Sequence, residues 1–149
     1  MSTRGFEWAY RLDGASGGPR IMDWPIGTID ANIGDALTID SGGYGTAVGT
    51  ATTEVLGILM EDTAGTNTSY TKRKVAIAER EHVWRCSMDA STTAFVVGYT
   101  KDIQFIDGNT IDADGEESGA MILVDASGLD DDGNVLAYVA FADTTFGNT

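Results

Sequence analysis

The fold class is decided by residues 54–61, which read Glu54-Val55-Leu56-Gly57-Ile58-Leu59-Met60-Glu61. The six residues between the two glutamates carry no charge. Such a run is too short for a typical helix of at least about 10 residues, and Gly57 in its middle disfavours a helix further. A short run without alternation is typical of a strand buried on both faces. We therefore expect a central strand here.

Three other segments alternate apolar and polar residues, as a half-buried strand does. The first is residues 6–13, where the aromatic residues fall on one face. The second is residues 72–79, and the third is residues 83–89, where Trp84 and Cys86 share a face. Each segment predicts a strand with one face towards a core.

The composition of the chain is typical of short strands joined by tight turns. The chain has 149 residues, which corresponds to one domain, with 19 glycines, 18 threonines and two prolines. Turn signals recur every 8–12 residues or so, a spacing that indicates a barrel or a sandwich. The sequence therefore predicts an all-β fold, a small β-barrel or sandwich of about eight to ten short strands.

The N-terminal part is set apart by a flexible link. Residues 14–19 read Gly-Ala-Ser-Gly-Gly-Pro, which separates the first strand from the rest of the chain. We expect residues 1–30 to form an extended N-terminal arm and residues 31–149 to form the β-barrel domain. The aromatic residues of the arm either pack on the domain's own core or reach a neighbouring chain, and the sequence leaves both open.

The charge of the chain excludes two classes of partner. The net charge is −14, and residues 102–149 carry eleven acidic residues and no Lys or Arg. So acidic a chain is repelled by nucleic acid and by anionic membrane surfaces. No run reaches the roughly 18 apolar residues of a membrane helix, and residues 1–7 lack a secretory apolar region. We expect synthesis in a cytoplasm.

The residues that most often carry catalysis are scarce. His82 is the only histidine and Cys86 the only cysteine, so an intrachain disulfide is impossible and a zinc site is unexpected. In a strand these two residues would lie about 13 Å apart, beyond hydrogen-bonding distance. We therefore expect no enzyme activity, no small-molecule substrate and no cofactor. Residues 107–117 and 130–134 are rich in oxygen ligands, which indicates either Asx turns or calcium binding.

The order of turns and strands along the chain resembles that of a known group of proteins. Gly34-Asp35 is followed by the strand Ala36-Leu37-Thr38-Ile39, and Leu56-Gly57-Ile58-Leu59 runs into Glu61-Asp62. Residues 75–77, 83–86, 94–98 and 135–141 complete the pattern. Residues 30–142 in this arrangement resemble the small β-barrel head-decoration (cement) and capsid-stabilising proteins of tailed phages and related viruses.

The resemblance implies where the protein is located and which protein it binds. Such proteins sit on the outer capsid surface of the virion, often as trimers, and clamp neighbouring major capsid proteins. On that basis we expect a homo-trimer that binds the major capsid protein, with no metal site. We hypothesise that the contact includes five residues, Arg4, Phe6, Trp8, Tyr10 and Trp24.

Two alternatives stay open at this point. Similar barrels occur in viral tail and baseplate proteins, so a tail or baseplate is the alternative location within the virion. A stand-alone module that binds carbohydrate or another surface ligand would need an exposed aromatic platform. Tyr44, Tyr70 or Tyr99 could supply one.

Overall fold

The computed structural model describes residues 5–63, 70–95, 103–113 and 119–146, and these residues form an all-β structure. The strands in chain order are β1 (Glu7–Arg11), β2 (Ile21–Pro25), β3 (Ala36–Ile39), β4 (Gly45–Ala47), β5 (Glu54–Val55), β6 (Gly57–Leu59), β7 (Lys72–Ile77), β8 (His82–Ser87), β9 (Phe105–Asp107), β10 (Thr110–Ile111), β11 (Met121–Leu129), β12 (Val135–Phe141) and β13 (Asp143–Thr144). The all-β prediction is confirmed. The described residues hold more strands than the eight to ten expected, because strands of two or three residues are too short to show alternation in sequence.

Two larger sheets make up most of the structure. The front sheet has the order β1-β8-β12-β11, and the back sheet has the order β2-β7-β6-β3-β4. All neighbours in both sheets are antiparallel. Two short pairs, β9 with β10 and β5 with β13, accompany them. Neither large sheet closes on itself, so the architecture is sandwich-like and the barrel alternative is wrong.

The main core lies between the two sheets. The front sheet contributes Trp84 and Phe141, and the back sheet contributes Ile58 and Ala76, all of them at most 1% exposed. Phe105 lies nearby, with its ring centroid 6.2 Å from that of Phe141. This interdigitation of two inner faces is the usual way in which a sandwich buries apolar area.

The back sheet is also buried on its other face. Leu37, Leu59 and Val75 point away from the front sheet into a second cluster, which includes Ile26 and is joined by the partly buried Phe146. Strand β6 lies between β3 and β7 and all three of its residues are buried. The prediction of a central strand buried on both faces is thereby confirmed for residues 57–59. Residues 54–55 instead form β5, which pairs with β13.

Residues 1–30, the expected N-terminal arm, contribute β1 to the front sheet and β2 to the back sheet. Strand β1 pairs with β8 at one edge of the front sheet. Strand β2 pairs with β7 at one edge of the back sheet. The flexible link predicted between them is the connection that lets the chain cross from one sheet to the other. Main-chain pairing thus holds both strands in place.

Candidate functional site

A β-bulge in β1 decides where its aromatic side chains lie. Trp8 is opposite Trp84 and Tyr10 is opposite Val83, with the register shifting between Trp8 and Tyr10. One extra residue in a strand reverses the faces of the residues beyond it. Trp8 therefore faces the inside of the sandwich and Tyr10 the outside. The prediction that both share a face is wrong, because uninterrupted alternation was assumed.

Trp8 is anchored to the only histidine of the chain. Its indole Nε1 donates a hydrogen bond of 2.8 Å to Nδ1 of His82. Because an indole N–H only donates, His82 must be unprotonated on Nδ1. Burial, followed by the charge of Arg11, lowers the pKa of His82, and this favours the neutral ring that accepts the bond.

An apolar groove opens between the two sheets where β1 and β2 form neighbouring edges. We call it the edge groove; its volume is about 300 Å³, and its apolar lining is Phe6, Trp8, Pro19, Ile21, Ile33, Met60, Ala76 and Trp84. Glu7 and Gly34 complete the lining. Phe6 and Trp84 are buried, whereas Trp8, Ile21, Ile33 and Met60 are exposed. The groove thus has an apolar base and a solvent-exposed apolar rim.

A second, polar cavity lies on the outer face of the front sheet. We call it the outer cleft; its volume is about 540 Å³, and it is lined by Glu7, Trp8, Ala9, Tyr10, Arg85, Asp125, Ser127 and Tyr138. All of these residues belong to β1, β8, β11 or β12, so the cleft rests on strands rather than on loops.

The outer cleft contains a row of side chains that crosses all four strands of the front sheet. Glu7 is opposite Arg85, Arg85 is opposite Tyr138, and Tyr138 is opposite Asp125. Arg85 makes an ion pair with Glu7. Hydrogen bonding to Glu7 is the main cause that raises the pKa of Arg85, with a further contribution from Tyr138. The guanidinium is therefore fixed in the middle of the row.

The structure describes four of the five hypothesised contact residues, and these four do not share one surface. Arg4 lies outside the described residues. Phe6 is 3% exposed and packs against the rings of Phe105 and Phe141. Trp24 lies on the far side of the back sheet, with its ring 5.6 Å from that of Phe146 and its Nε1 donating to the carbonyl oxygen of Gly43. Trp8 and Tyr10 are exposed and both line the outer cleft, and Trp8 also lines the edge groove together with the buried Phe6.

Sequence reasoning missed most of the groove rim. Ile33 lies in the tight turn Asn32-Ile33-Gly34-Asp35, and its side chain is exposed. An apolar residue in a turn otherwise built from Asn, Gly and Asp was the available signal. Ile21 and Met60 gave no such signal, because they read as the ends of apolar strands.

The histidine and cysteine form no catalytic pair. Cys86 is buried, which raises the pKa of its thiol well above the usual value, and its Sγ lies 3.3 Å from the carbonyl oxygen of Asn109. A thiol held protonated in the core is a poor nucleophile. The prediction that Cys86 is a core residue is confirmed.

The oxygen-rich segments form Asx turns where they are described. Asp130 accepts hydrogen bonds from the backbone N–H groups of Asp132 and Asn134, and Asp107 accepts one from that of Asn109. Within residues 5–63, 70–95, 103–113 and 119–146, no group of three or more His, Cys, Asp or Glu is arranged to hold a metal ion. Residues 114–117, the rest of the oxygen-rich segment 107–117, lie outside the described residues.

Of the three tyrosines considered as a platform, two lie together. The rings of Tyr44 and Tyr70 have centroids 4.3 Å apart and an angle of 30° between their planes. Tyr99 lies outside the described residues. The Tyr44–Tyr70 pair is a second aromatic surface, separate from the residues that line the outer cleft.

Comparison with known protein families, with curated protein sequences and with solved structures finds no match. In the part of the chain that the structure describes, no helix has the length and apolar character needed to cross a membrane. The function must therefore be argued from the two cavities and the surfaces around them.

Proposed function

We propose that this protein is a structural component of a virus particle, which binds the outer capsid surface and bridges neighbouring major capsid proteins. The observation that carries the proposal is the edge groove. The resemblance of residues 30–142 to head-decoration proteins supplies the class of partner. A protein of this kind works by binding another protein chain at one of its surfaces, rather than by catalysing a reaction.

The distribution of exposed apolar residues supports a protein partner at this groove. Nine large apolar side chains are exposed among the described residues, and four of them line the edge groove: Trp8, Ile21, Ile33 and Met60. Exposed apolar residues scattered singly are normal, whereas a cluster around an apolar groove is typical of an interaction site.

The backbone at the groove suits an extended partner segment. Both β1 and β2 are edge strands, so each has one side without a neighbouring strand in its sheet. A strand from another chain adds to such an edge through main-chain hydrogen bonds, while its alternate side chains fill adjacent pockets. We propose that an extended apolar segment of a capsid subunit occupies the groove in this way.

The oligomeric part of the proposal has a direct test. A decoration protein at a local threefold position of a capsid is expected to be a homo-trimer. Light scattering on the purified protein should give three times the mass of 15.7 kDa calculated for one chain. A monomer at every concentration would remove the trimer from the proposal and leave the groove to be tested by capsid binding.

Capsid binding is best tested with a matched pair of surface substitutions. Ile33 is 57% exposed on the groove rim and Leu129 is 56% exposed at the end of β11. Ile33→Gln should weaken co-sedimentation with capsids from which the protein has been stripped, by about tenfold or more, because the interface would then bury an amide in place of an apolar side chain. Leu129→Gln removes the same kind of side chain at equal exposure, away from the groove.

The outcomes separate the hypotheses. Loss of capsid binding in Ile33→Gln but not in Leu129→Gln supports the groove as the contact surface. Equal binding by both variants and the unaltered protein would contradict it. Binding to purified tails, with none to capsids, would replace the capsid by a tail or baseplate as the site of attachment.

A further inference from the structure

The outer cleft has the features of a ligand site that the proposed capsid contact does not use. Its volume of 540 Å³ lies within the range of about 300–1,000 Å³ that is common for small-molecule sites. Ile21, Ile33 and Met60, which form most of the rim of the edge groove, do not line it. Glu7 and Trp8 line both cavities, because the edge strand β1 lies between them.

The aromatic side chains of the cleft offer an apolar surface. The ring centroids of Tyr10 and Tyr138 are 6.5 Å apart, and the ring planes are inclined at 31°. Tyr10 is 41% exposed, so much of its ring is accessible to a ligand. The face of a pyranose ring carries several C–H groups that pack on an aromatic ring in this way, which makes tyrosine suitable for holding a sugar.

The polar side chains of the cleft supply both donors and acceptors. Arg85 only donates, whereas the ionised carboxylate of Asp125 only accepts. Asp125 is exposed and makes no hydrogen bond or ion pair within the described part of the chain, so its oxygens are available to a ligand. A sugar hydroxyl both donates and accepts, and can therefore bond to either of these two side chains.

The charges in the cleft select against anionic ligands. Glu7 and Asp125 repel an anion, and the guanidinium of Arg85 is already paired with Glu7. A cationic ligand would be attracted by the carboxylates of Glu7 and Asp125 but would meet the guanidinium of Arg85 between them. A net charge of −14 opposes anionic glycans over longer distances. A neutral ligand with many hydroxyl groups pairs with every member of the row without a charge conflict.

We infer that the outer cleft binds a neutral oligosaccharide, with a sugar ring packed on Tyr10 and hydroxyl groups bonded to Arg85 and Asp125. The supporting residues lie on strands of one sheet, which hold them in a fixed arrangement before a ligand arrives. Under this inference the protein carries a carbohydrate site on one surface and its protein contact at the edge groove.

The test uses isothermal titration of the full chain with four neutral hexasaccharides, of β-1,4-glucose, α-1,4-glucose, β-1,4-mannose and β-1,4-galactose. Hexalysine and a galacturonic acid hexamer serve as the cationic and anionic comparisons. We expect binding of at least one neutral hexasaccharide at millimolar or lower concentration, with weaker or no binding of the charged probes. No binding of any neutral probe at millimolar concentration would overturn the inference, as would binding of hexalysine alone or of the galacturonic acid hexamer alone.

Three variants locate the site. Asp125→Asn and Tyr10→Ala should each weaken binding of the preferred hexasaccharide by about tenfold. Tyr70→Ala is the matched control, because Tyr70 is 48% exposed but belongs to the Tyr44–Tyr70 pair outside the cleft. Loss of binding in Tyr70→Ala, with Asp125→Asn and Tyr10→Ala unchanged, would assign the sugar to that pair and contradict the outer cleft.

Discussion

Strands β6 and β1 have the same backbone conformation but opposite surroundings. β6 lies between β3 and β7, and both of its faces are covered by apolar clusters. β1 has one neighbour, β8, and its Trp8 and Tyr10 side chains are exposed. The interior strand is therefore constrained by packing on every side. The edge strand is free to carry side chains for other molecules, which is why both cavities adjoin it.

Among the substitutions that test this difference between β6 and β1, we expect the largest loss of stability from a substitution at Gly57 in β6. A Cβ atom at this position would lie 2.2 Å from the carbonyl oxygen of Ala76 and 2.8 Å from a methyl group of Val75. Because a backbone atom cannot move aside as a side chain does, Gly57→Ala must separate β6 from β7. We expect the free energy of unfolding to fall by about 3 kcal/mol or more, measured by urea denaturation.

Gly49→Ala is the matched control for Gly57→Ala. A Cβ at Gly49 meets no atom within 4 Å, and its backbone is not in the left-handed region. The same chemical change should then alter the free energy of unfolding by less than about 1 kcal/mol. Similar losses in both variants would show that β6 is not the tightly packed strand described above.

The next effect tests how β1 is held. Trp8→Phe removes the indole N–H and leaves Nδ1 of the buried His82 without its donor. We expect a loss of about 1–2 kcal/mol in the free energy of unfolding. Trp24→Phe removes a 3.0 Å bond to the carbonyl oxygen of Gly43 at an exposed position, where water replaces the donor. A loss in Trp24→Phe as large as that in Trp8→Phe would argue against the anchoring role of His82.

A smaller change in the free energy of unfolding is expected when the pH is lowered, because the pKa of His82 differs between the folded and the unfolded chain. Its pKa lies below the usual value in the folded chain, so between that lowered pKa and about 6.5 the unfolded chain binds more protons. The free energy of unfolding should therefore fall as the pH is lowered through about 6.5 and stay unaffected by this group above it. Nearby Arg11 lowers the pKa further, whereas Glu79, Glu81 and Asp13 oppose the shift.

His82→Gln isolates this contribution. Glutamine keeps an acceptor for Trp8 but does not titrate, so the decline in stability below about pH 6.5 should be absent from the variant. Burial raises the pKa of Asp35, which favours the folded chain as the pH falls, but that group is common to both proteins and cancels in the difference. Parallel pH profiles would mean that His82 has no altered pKa.

The interior strands were predictable because their signals are local. The uncharged run 55–60 identified β6, and alternation in residues 83–89 put Trp84 and Cys86 on the inner face of β8. These patterns reflect which side chains of a strand are buried, and they can be read from consecutive residues of the sequence. The prediction succeeded where each face of a strand keeps the same environment along the whole length of the strand.

The two cavities were not predictable in the same way. The row from Glu7 to Asp125 depends on the registers of three strand pairs, which join residues far apart in the chain. The bulge that separates Trp8 from Tyr10 falls at Ala9, which carries no glycine or proline signal. The packing of Phe6 was not predictable either, because its partners Phe105 and Phe141 are brought to it only by the fold.

The smallest effect on stability is expected at Tyr10, on the outer face of the same edge strand. Its ring is 41% exposed and its nearest aromatic partner is Tyr138. Tyr10→Ala therefore gives up little buried area, and we expect a loss below about 1 kcal/mol in urea denaturation, with Tyr70→Ala as the control at similar exposure. A loss comparable to that of Gly57→Ala would mean that the outer face holds β1 in place, and Tyr10 would then be a structural residue. A small loss leaves Tyr10 as a residue that the fold does not require, which is the condition for using it to hold a ligand.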